Sequence, residues 1–109
     1  MERLCFIINI YEGAEKEYDQ RHDDIWPDMA QACADAGFSN YSIFRVGTQV
    51  IGYAECIPDI ASVFAKMSTF EVEGRWNDSL SNVIKGASGG ESGVTLVPEV
   101  WHLKAVAKP

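Results

Sequence analysis

The spacing of apolar side chains alternates along the chain between the two-residue period of strands and the longer period of helices. The first run, RLCFIINI (3–10), is rich in β-branched and aromatic residues and predicts a β-strand. Leu4 and Phe6 share one face of this strand, while Cys5 and Ile7 make the opposite face apolar as well. A sheet with two apolar faces needs a cover on each, from helices, a second sheet or a partner subunit.

Residues 14 to 37 carry apolar positions at helical spacing, with an interruption in the middle. The dipeptide Trp26-Pro27 marks the interruption, because proline is tolerated in the first turn of a helix but not in its interior. Pro27 is therefore predicted to begin a second helical piece, and Gly37 to end it.

The rest of the chain predicts a hairpin, a second helical region and a last strand. Strands are predicted at 40–46 and 49–57, on either side of a turn at Gly47-Thr48. Two helical pieces follow, from Pro58 to Met67 and from about 69 to 85. The chain then has a glycine-rich loop at 86–93 and a strand at 95–103, in which Pro98 indicates an edge position. No linker or repeat divides residues 1–109, so we expect a single domain. Its order, β-α-β-β-α-β, is the ferredoxin-like α+β pattern.

Both helical regions are expected to cover one face of this sheet, which leaves the other apolar face open. A homodimer packed sheet against sheet covers that face and adds core that one small domain lacks.

Composition and charge narrow the classes of partner. The chain has 109 residues, and its net charge of −7 with nine scattered Lys and Arg argues against nucleic acid and anionic membranes. No apolar run reaches the roughly 20 residues of a membrane helix, and the N-terminus lacks the pattern of a signal peptide. Three widely spaced cysteines, Cys5, Cys33 and Cys56, favour free thiols in a reducing compartment, so we expect a cytoplasmic protein.

The segment EYDQRHDDIWP (17–27) holds the strongest candidate chemistry. Tyr18 and His22 are four residues apart, so both rings point from one face of a helix. A free imidazole titrates near pH ~6.5 and can donate or accept a proton at neutral pH. An isolated histidine would more often be an ordinary surface residue. The tyrosine one turn earlier favours a pair that handles protons for one ligand.

Other kinds of site have less support. The carboxylates near His22 (Asp19, Asp23, Asp24 and Asp28) fit no metal-ligand spacing, and we interpret them as a solvated surface and helix caps. No nucleophile elbow or phosphate-binding loop is present. Trp76 has polar neighbours that would suit a sugar stacked on the indole, with core packing equally compatible. For Trp26 and Trp101 core packing is favoured.

Four segments in the right order resemble the L-rhamnose mutarotase family. They are the signature E-Y-x-x-R-H-x-x-I-W-P at 17–27, NYSIF at 40–44, RW at 75–76 and EVWHL at 99–103. The resemblance implies a dimeric α/β barrel that interconverts the α and β anomers of a 6-deoxy sugar, above all L-rhamnose, without a cofactor or metal. It also implies that His22 is the proton donor and that Tyr18, Tyr41 and Trp76 bind substrate, with His22 and Tyr18 as the catalytic pair.

Two departures from the family pattern leave the sugar open. The family commonly has a second tryptophan where this chain has Asn77, which we therefore predict to contact the substrate and alter preference. The glycine-rich loop 86–93 replaces a family segment before the last strand. The alternatives are a mutarotase for another sugar such as L-fucose, a different small-molecule enzyme such as a cofactor-free monooxygenase, or a noncatalytic sugar-binding module.

Overall fold

The structure is a computed structural model, and it describes residues 1–85 and 93–104. Its elements are β1 (Glu2–Asn9), α1 (Glu15–Asp23), α2 (Pro27–Ala36), β2 (Phe38–Val46), β3 (Gln49–Cys56), α3 (Ile60–Met67), α4 (Glu71–Ser79) and β4 (Val94–Leu96). Each predicted helical region is thus a pair of helices. The predicted β-α-β-β-α-β order is confirmed.

The four strands form one antiparallel sheet in the order β2-β3-β1-β4. The register places Phe6 of β1 and Ile43 of β2 on either side of Gly52 in β3. Gly52 is required there because the Phe6 ring lies where a Cβ atom would be. The sheet face that carries these residues packs against the helices.

The interruption between the first two helices lies where the sequence predicts it. Trp26 has extended backbone (ψ 132°) and Pro27 is the first residue of α2. Gly37 ends α2 with a φ of 113°, and a Cβ atom there would also collide with the carbonyl of Ile57. The chain therefore turns sharply from α2 into β2.

The core lies between the helices and the inner face of the sheet. It contains strand residues such as Leu4, Val50 and Ala54, and helix residues such as Met29 and Val63. Tyr18 is the buried residue of α1, so this short polar helix is attached to the core through one aromatic side chain.

The last helix is shorter than the predicted segment 69–85. α4 ends at Ser79, and the chain then turns so that Ile84 pairs with Ile10 beyond the end of β1. The backbone N–H of Tyr11 donates to Val83 and that of Lys85 donates to Asn9, at 2.9 and 3.0 Å. Residues 80–85 therefore do not continue the helix that their apolar spacing predicts, because their backbone forms hydrogen bonds with the end of β1 and the residues after it.

The last strand is also shorter than predicted. β4 covers Val94–Leu96, and the final backbone bond to β1 runs from the N–H of Val97 to the carbonyl of Cys5 at 2.9 Å. Pro98 follows, and the ladder ends there. The predicted glycine-rich loop lies, apart from Gly93, outside the described residues.

The outer face of the sheet is open and partly apolar. Phe44 and Val46 are 61% and 66% exposed, and Ile7 and Ile51 are partly exposed beside them. The prediction of core packing for Trp101 is wrong, since this residue is 75% exposed in the extended segment after β4. Within the described residues, no helix is long and apolar enough to cross a membrane.

Candidate active site

Tyr18 and His22 lie together on α1, as their spacing predicts. The two ring centroids are 4.3 Å apart, with the planes inclined by 32°. His22 Nδ1 is 3.0 Å from the backbone carbonyl oxygen of Tyr18. One turn of helix therefore fixes both the position and the orientation of the imidazole.

The contact of His22 with a carbonyl oxygen determines its tautomer. A carbonyl oxygen only accepts hydrogen bonds, so Nδ1 must carry the proton that is donated to it. In the neutral ring Nε2 is then an unprotonated acceptor, and in the charged ring it is a donor. Nε2 is the ring nitrogen that remains available to a ligand.

Tyr18 supplies a phenol that stays protonated. The residue is only 2% exposed. Burial, followed by the negative charge of Asp19, raises the pKa of Tyr18 from 10.0 to about 12. At neutral pH the hydroxyl can donate a hydrogen bond, but it cannot act as a base.

Trp76 supports the imidazole from α4. Its ring meets His22 edge to face at 5.6 Å and meets Trp26 in the same manner at 5.1 Å. The predicted core role of Trp26 agrees with its packing against the hydrophobic core. Arg21 of α1 connects α1 to α4, since its Nη1 donates to the carbonyl oxygen of Ser79 at 3.0 Å.

Tyr41 reaches toward the same region from the bulged part of β2. Its ring packs against Phe6 and Phe38, with centroids 6.2 and 5.1 Å apart. The residue as a whole is 39% exposed, yet burial of the phenol raises its pKa, and the nearby Cys33 and Tyr18 act in the same direction. Asn77 is exposed on α4, and none of Asn77, Tyr41 and Trp76 is among the residues that line the cavity described next.

A cavity of about 440 Å³ opens in front of this pair of rings. Its lining consists of Tyr18, Asp19, His22, Asp23, Ile43 and Arg45. This volume is within the range of roughly 300–1,000 Å³ that is typical of small-molecule sites.

The sequence did not reveal the part of this lining that comes from β2. Arg45 is two residues after Ile43 on β2, so both side chains point to the helix side of the sheet. A charged residue at an inward position of a strand was the available signal. Asp19 was interpreted as part of a solvated surface or a cap, but its carboxylate pairs with Arg45 at 2.6 Å.

A second cavity of similar size lies at the other end of β1. It is bounded by the start of β1 and by residues 96–99, and Arg3 pairs with Glu99 inside it. Its lining contains no histidine or tyrosine. The cavity beside Tyr18 and His22 is therefore the better candidate for proton chemistry.

Comparison with known proteins identifies the family. The model of the L-rhamnose mutarotase family matches residues 3–103. The chain belongs to the L-rhamnose mutarotase family. The sequence-based assignment to this family, and with it to the isomerases that act on carbohydrates, is confirmed.

Individual relatives agree with this assignment. An L-rhamnose mutarotase of Bacillus subtilis (strain 168) is 33% identical over 105 residues, covering 94% of this chain and 99% of the relative. One from Oceanobacillus iheyensis is 31% identical with the same coverage.

Solved structures share the fold. The crystal structure of an L-rhamnose mutarotase from Formosa agariphila superposes with a TM-score of 0.76 at 22% identity, covering 95% of this chain and all of that one. A dimeric ferredoxin-like protein from an uncultured marine organism superposes with a TM-score of 0.60 at 14% identity, covering 96% of this chain and 97% of that one. The predicted ferredoxin-like α+β class is confirmed.

Proposed function

We propose that the cavity at Tyr18 and His22 binds L-rhamnose and that His22 carries the proton which opens and recloses the pyranose ring. The observation that carries this proposal is the hydrogen bond between His22 Nδ1 and the Tyr18 carbonyl oxygen, because it leaves Nε2 for the substrate. Membership in the family supplies the activity, interconversion of α and β anomers.

The chemistry requires one proton to move between two oxygens on the same carbon. Neutral His22 takes the proton of the anomeric hydroxyl at Nε2, the carbonyl of C1 forms, and the bond from C1 to the ring oxygen breaks. The imidazolium then gives that proton to the ring oxygen, so atoms and charge balance. Rotation about the C1–C2 bond presents the other carbonyl face, and the same steps in reverse close the ring.

The remaining site residues bind and orient the sugar in this proposal. Tyr18 donates its phenol hydrogen to a sugar oxygen as the second member of the catalytic pair. Trp76 holds the His22 ring, and Tyr41 supplies a further protonated phenol. Asn77, which is exposed on α4, is proposed as a substrate contact from outside the cavity lining.

We further propose that the working unit is a homodimer in which the open sheet faces pack together. Phe44 and Val46 are more than 60% exposed on that face, and Val100, Trp101 and Leu103 are 95%, 75% and 64% exposed in the segment that follows β4. So many exposed apolar side chains are typical of an interface. Light scattering of the 12.1 kDa chain should give twice that mass, and a monomer at micromolar concentration would contradict the dimer.

Two broader assignments belong to the same proposal. Residues 1–109 act as one mutarotase domain, since the family match spans most of them. The three free thiols suit a reducing compartment, which supports the proposal of a cytoplasmic location.

The test is anomer exchange measured by NMR saturation transfer on L-rhamnose, L-fucose and a fully hydroxylated hexose. Wild-type protein should accelerate exchange of L-rhamnose, and His22→Ala should lose about 10²–10⁴-fold of that acceleration. His102→Ala is the matched control, because it removes the other histidine, which lies in the exposed segment after β4.

Two of the alternatives, and the role of His22, each have their own result in this experiment. Preferential exchange of L-fucose would identify a different sugar as the substrate. Binding of the sugars without exchange would identify a noncatalytic module. Equal exchange by wild-type protein and folded His22→Ala would remove His22 from the proton transfer.

A further inference from the structure

Arg45 is a cationic side chain in the wall of the proposed sugar site, and its role is not defined by the segments that identify the family. It lies on β2 opposite Val50 of β3, which is fully buried, so the strand directs it toward the helices. It lines the same cavity as Tyr18 and His22. Its side chain is only 26% exposed.

Three hydrogen bonds fix the orientation of the Arg45 guanidinium. Nε donates to Asp19 Oδ1 at 2.7 Å, and Nη2 donates to Asp19 Oδ2 at 2.6 Å. Nη1 donates to the carbonyl oxygen of Gly47 at 2.8 Å. A side chain held on two sides loses little further conformational freedom when a ligand binds it.

Within the described part of the chain, the same bonds leave part of the guanidinium without a partner. A guanidinium has five N–H groups, one on Nε and two on each terminal nitrogen. Three are used, so one N–H remains on Nη1 and one on Nη2 with no acceptor among residues 1–85 and 93–104. Two donors on neighbouring nitrogens match two hydroxyl oxygens on adjacent carbons of a pyranose.

The ion pair between Asp19 and Arg45 limits the chemistry of Asp19 and the net charge of this part of the site. Both of its carboxylate oxygens already accept from Arg45, so Asp19 has little capacity to act as a base for the sugar. The hydrogen bonds from Arg45, and then its positive charge, keep the pKa of Asp19 below its ordinary value. The pair is close to neutral as a unit and adds directed N–H groups without a large net charge beside His22.

We infer that Arg45, held in place by Asp19, is a specificity-determining residue that donates hydrogen bonds to adjacent ring hydroxyls of the substrate. This inference rests on the proposed function of the cavity. Because His22 and Tyr18 serve the anomeric carbon and the ring oxygen, Arg45 binds hydroxyls on the carbons that do not react. Such contacts are equally strong before and during ring opening, so they govern binding and preference between sugars.

The experiment measures kcat and KM for exchange with wild-type protein, Arg45→Met and Asp19→Asn. The substrates are L-rhamnose and its analogues that lack the hydroxyl at C2, C3 or C4. For L-rhamnose, Arg45→Met should raise KM by about 10- to 100-fold, the usual effect of losing hydrogen bonds from a charged donor, with kcat little changed. Asp19→Asn should raise KM less, because it loosens Arg45 without removing it.

The analogues separate a sugar contact from a general disturbance. Wild-type protein should discriminate against at least one analogue, and that discrimination should shrink in Arg45→Met because the donor for the missing hydroxyl has gone. Arg3→Met is the matched control, since Arg3 forms a similar ion pair with Glu99. In the sheet, Arg3 stands opposite Glu55 of β3 and Arg45 stands opposite Val50 of β3. The two arginines are therefore five positions apart along β3, which is roughly 17 Å.

Two results would overturn the inference. The first is an unchanged KM for L-rhamnose in folded Arg45→Met, and the second is the same discrimination among analogues in wild type and variant. Equilibrium binding of L-rhamnose, followed by the fluorescence of Trp76 and Trp26, keeps this test separate from turnover. Absent exchange in the wild type contradicts the proposed function, whereas an affinity that Arg45→Met leaves unchanged contradicts the role of Arg45.

Discussion

Replacing Tyr18 by phenylalanine tests the environment of the site without reference to turnover. The pKa of the phenol is raised from 10.0 to about 12 because the ring is buried in the folded chain. Between pH 10 and 12 the folded state therefore keeps a proton that the unfolded chain has lost. Folded stability contributed by this group is intact below pH 10 and decreases as pH rises through the interval.

The magnitude follows from the size of the pKa shift. A shift of one unit is worth about 1.4 kcal/mol, so two units correspond to about 2.7 kcal/mol of unfolding free energy in total, of which most is lost by pH 12. Tyr18→Phe has no proton to keep and should not show this loss. Tyr41, whose pKa is also raised, is present in both proteins, so its effect is removed by taking the difference.

Urea unfolding followed by circular dichroism at half-unit steps from pH 8 to 12 measures this difference. As pH rises above 10, the free energy of unfolding of wild-type protein should decrease relative to that of Tyr18→Phe. Two curves that run parallel over the whole range would show that the Tyr18 phenol is not buried as described. The raised pKa assigned to the Tyr18 phenol would then be wrong.

Three further predictions concern the site and the sheet beneath it. His22→Ala should lower the exchange rate by about 10²–10⁴-fold at saturating L-rhamnose. Its melting temperature should change little, because His22 is partly exposed, and a large drop would mean that the rate loss reports unfolding. Asn77→Trp should change the ranking of rhamnose, fucose and a fully hydroxylated hexose, and an identical ranking would remove this exposed residue from the substrate contacts. Gly52→Ala should destabilise the fold by about 1–3 kcal/mol in urea unfolding, because Phe6 must move away from the new methyl group, and unchanged stability would refute that packing.

Short-range features of this protein could be predicted from sequence alone. The four-residue spacing of Tyr18 and His22 places both rings on one face of a helix, and the structure has them 4.3 Å apart. Trp26-Pro27 marks the helix boundary because proline has no N–H to give and a fixed φ. Such features depend on covalent geometry and on contacts within one helical turn, which the local sequence contains.

The other half of the cavity was decided by tertiary structure. Arg45 is 26 positions from Asp19 along the chain, and nothing local to either residue indicates that they meet. Their contact depends on which sheet face α1 covers and on the register that pairs Arg45 with Val50. The extent of α4 was likewise determined by pairing at the end of β1, where hydrogen bonds to a distant strand replaced the local helical periodicity. A local pattern states which face a residue occupies, whereas only the packed sheet and helices determine what lies opposite it.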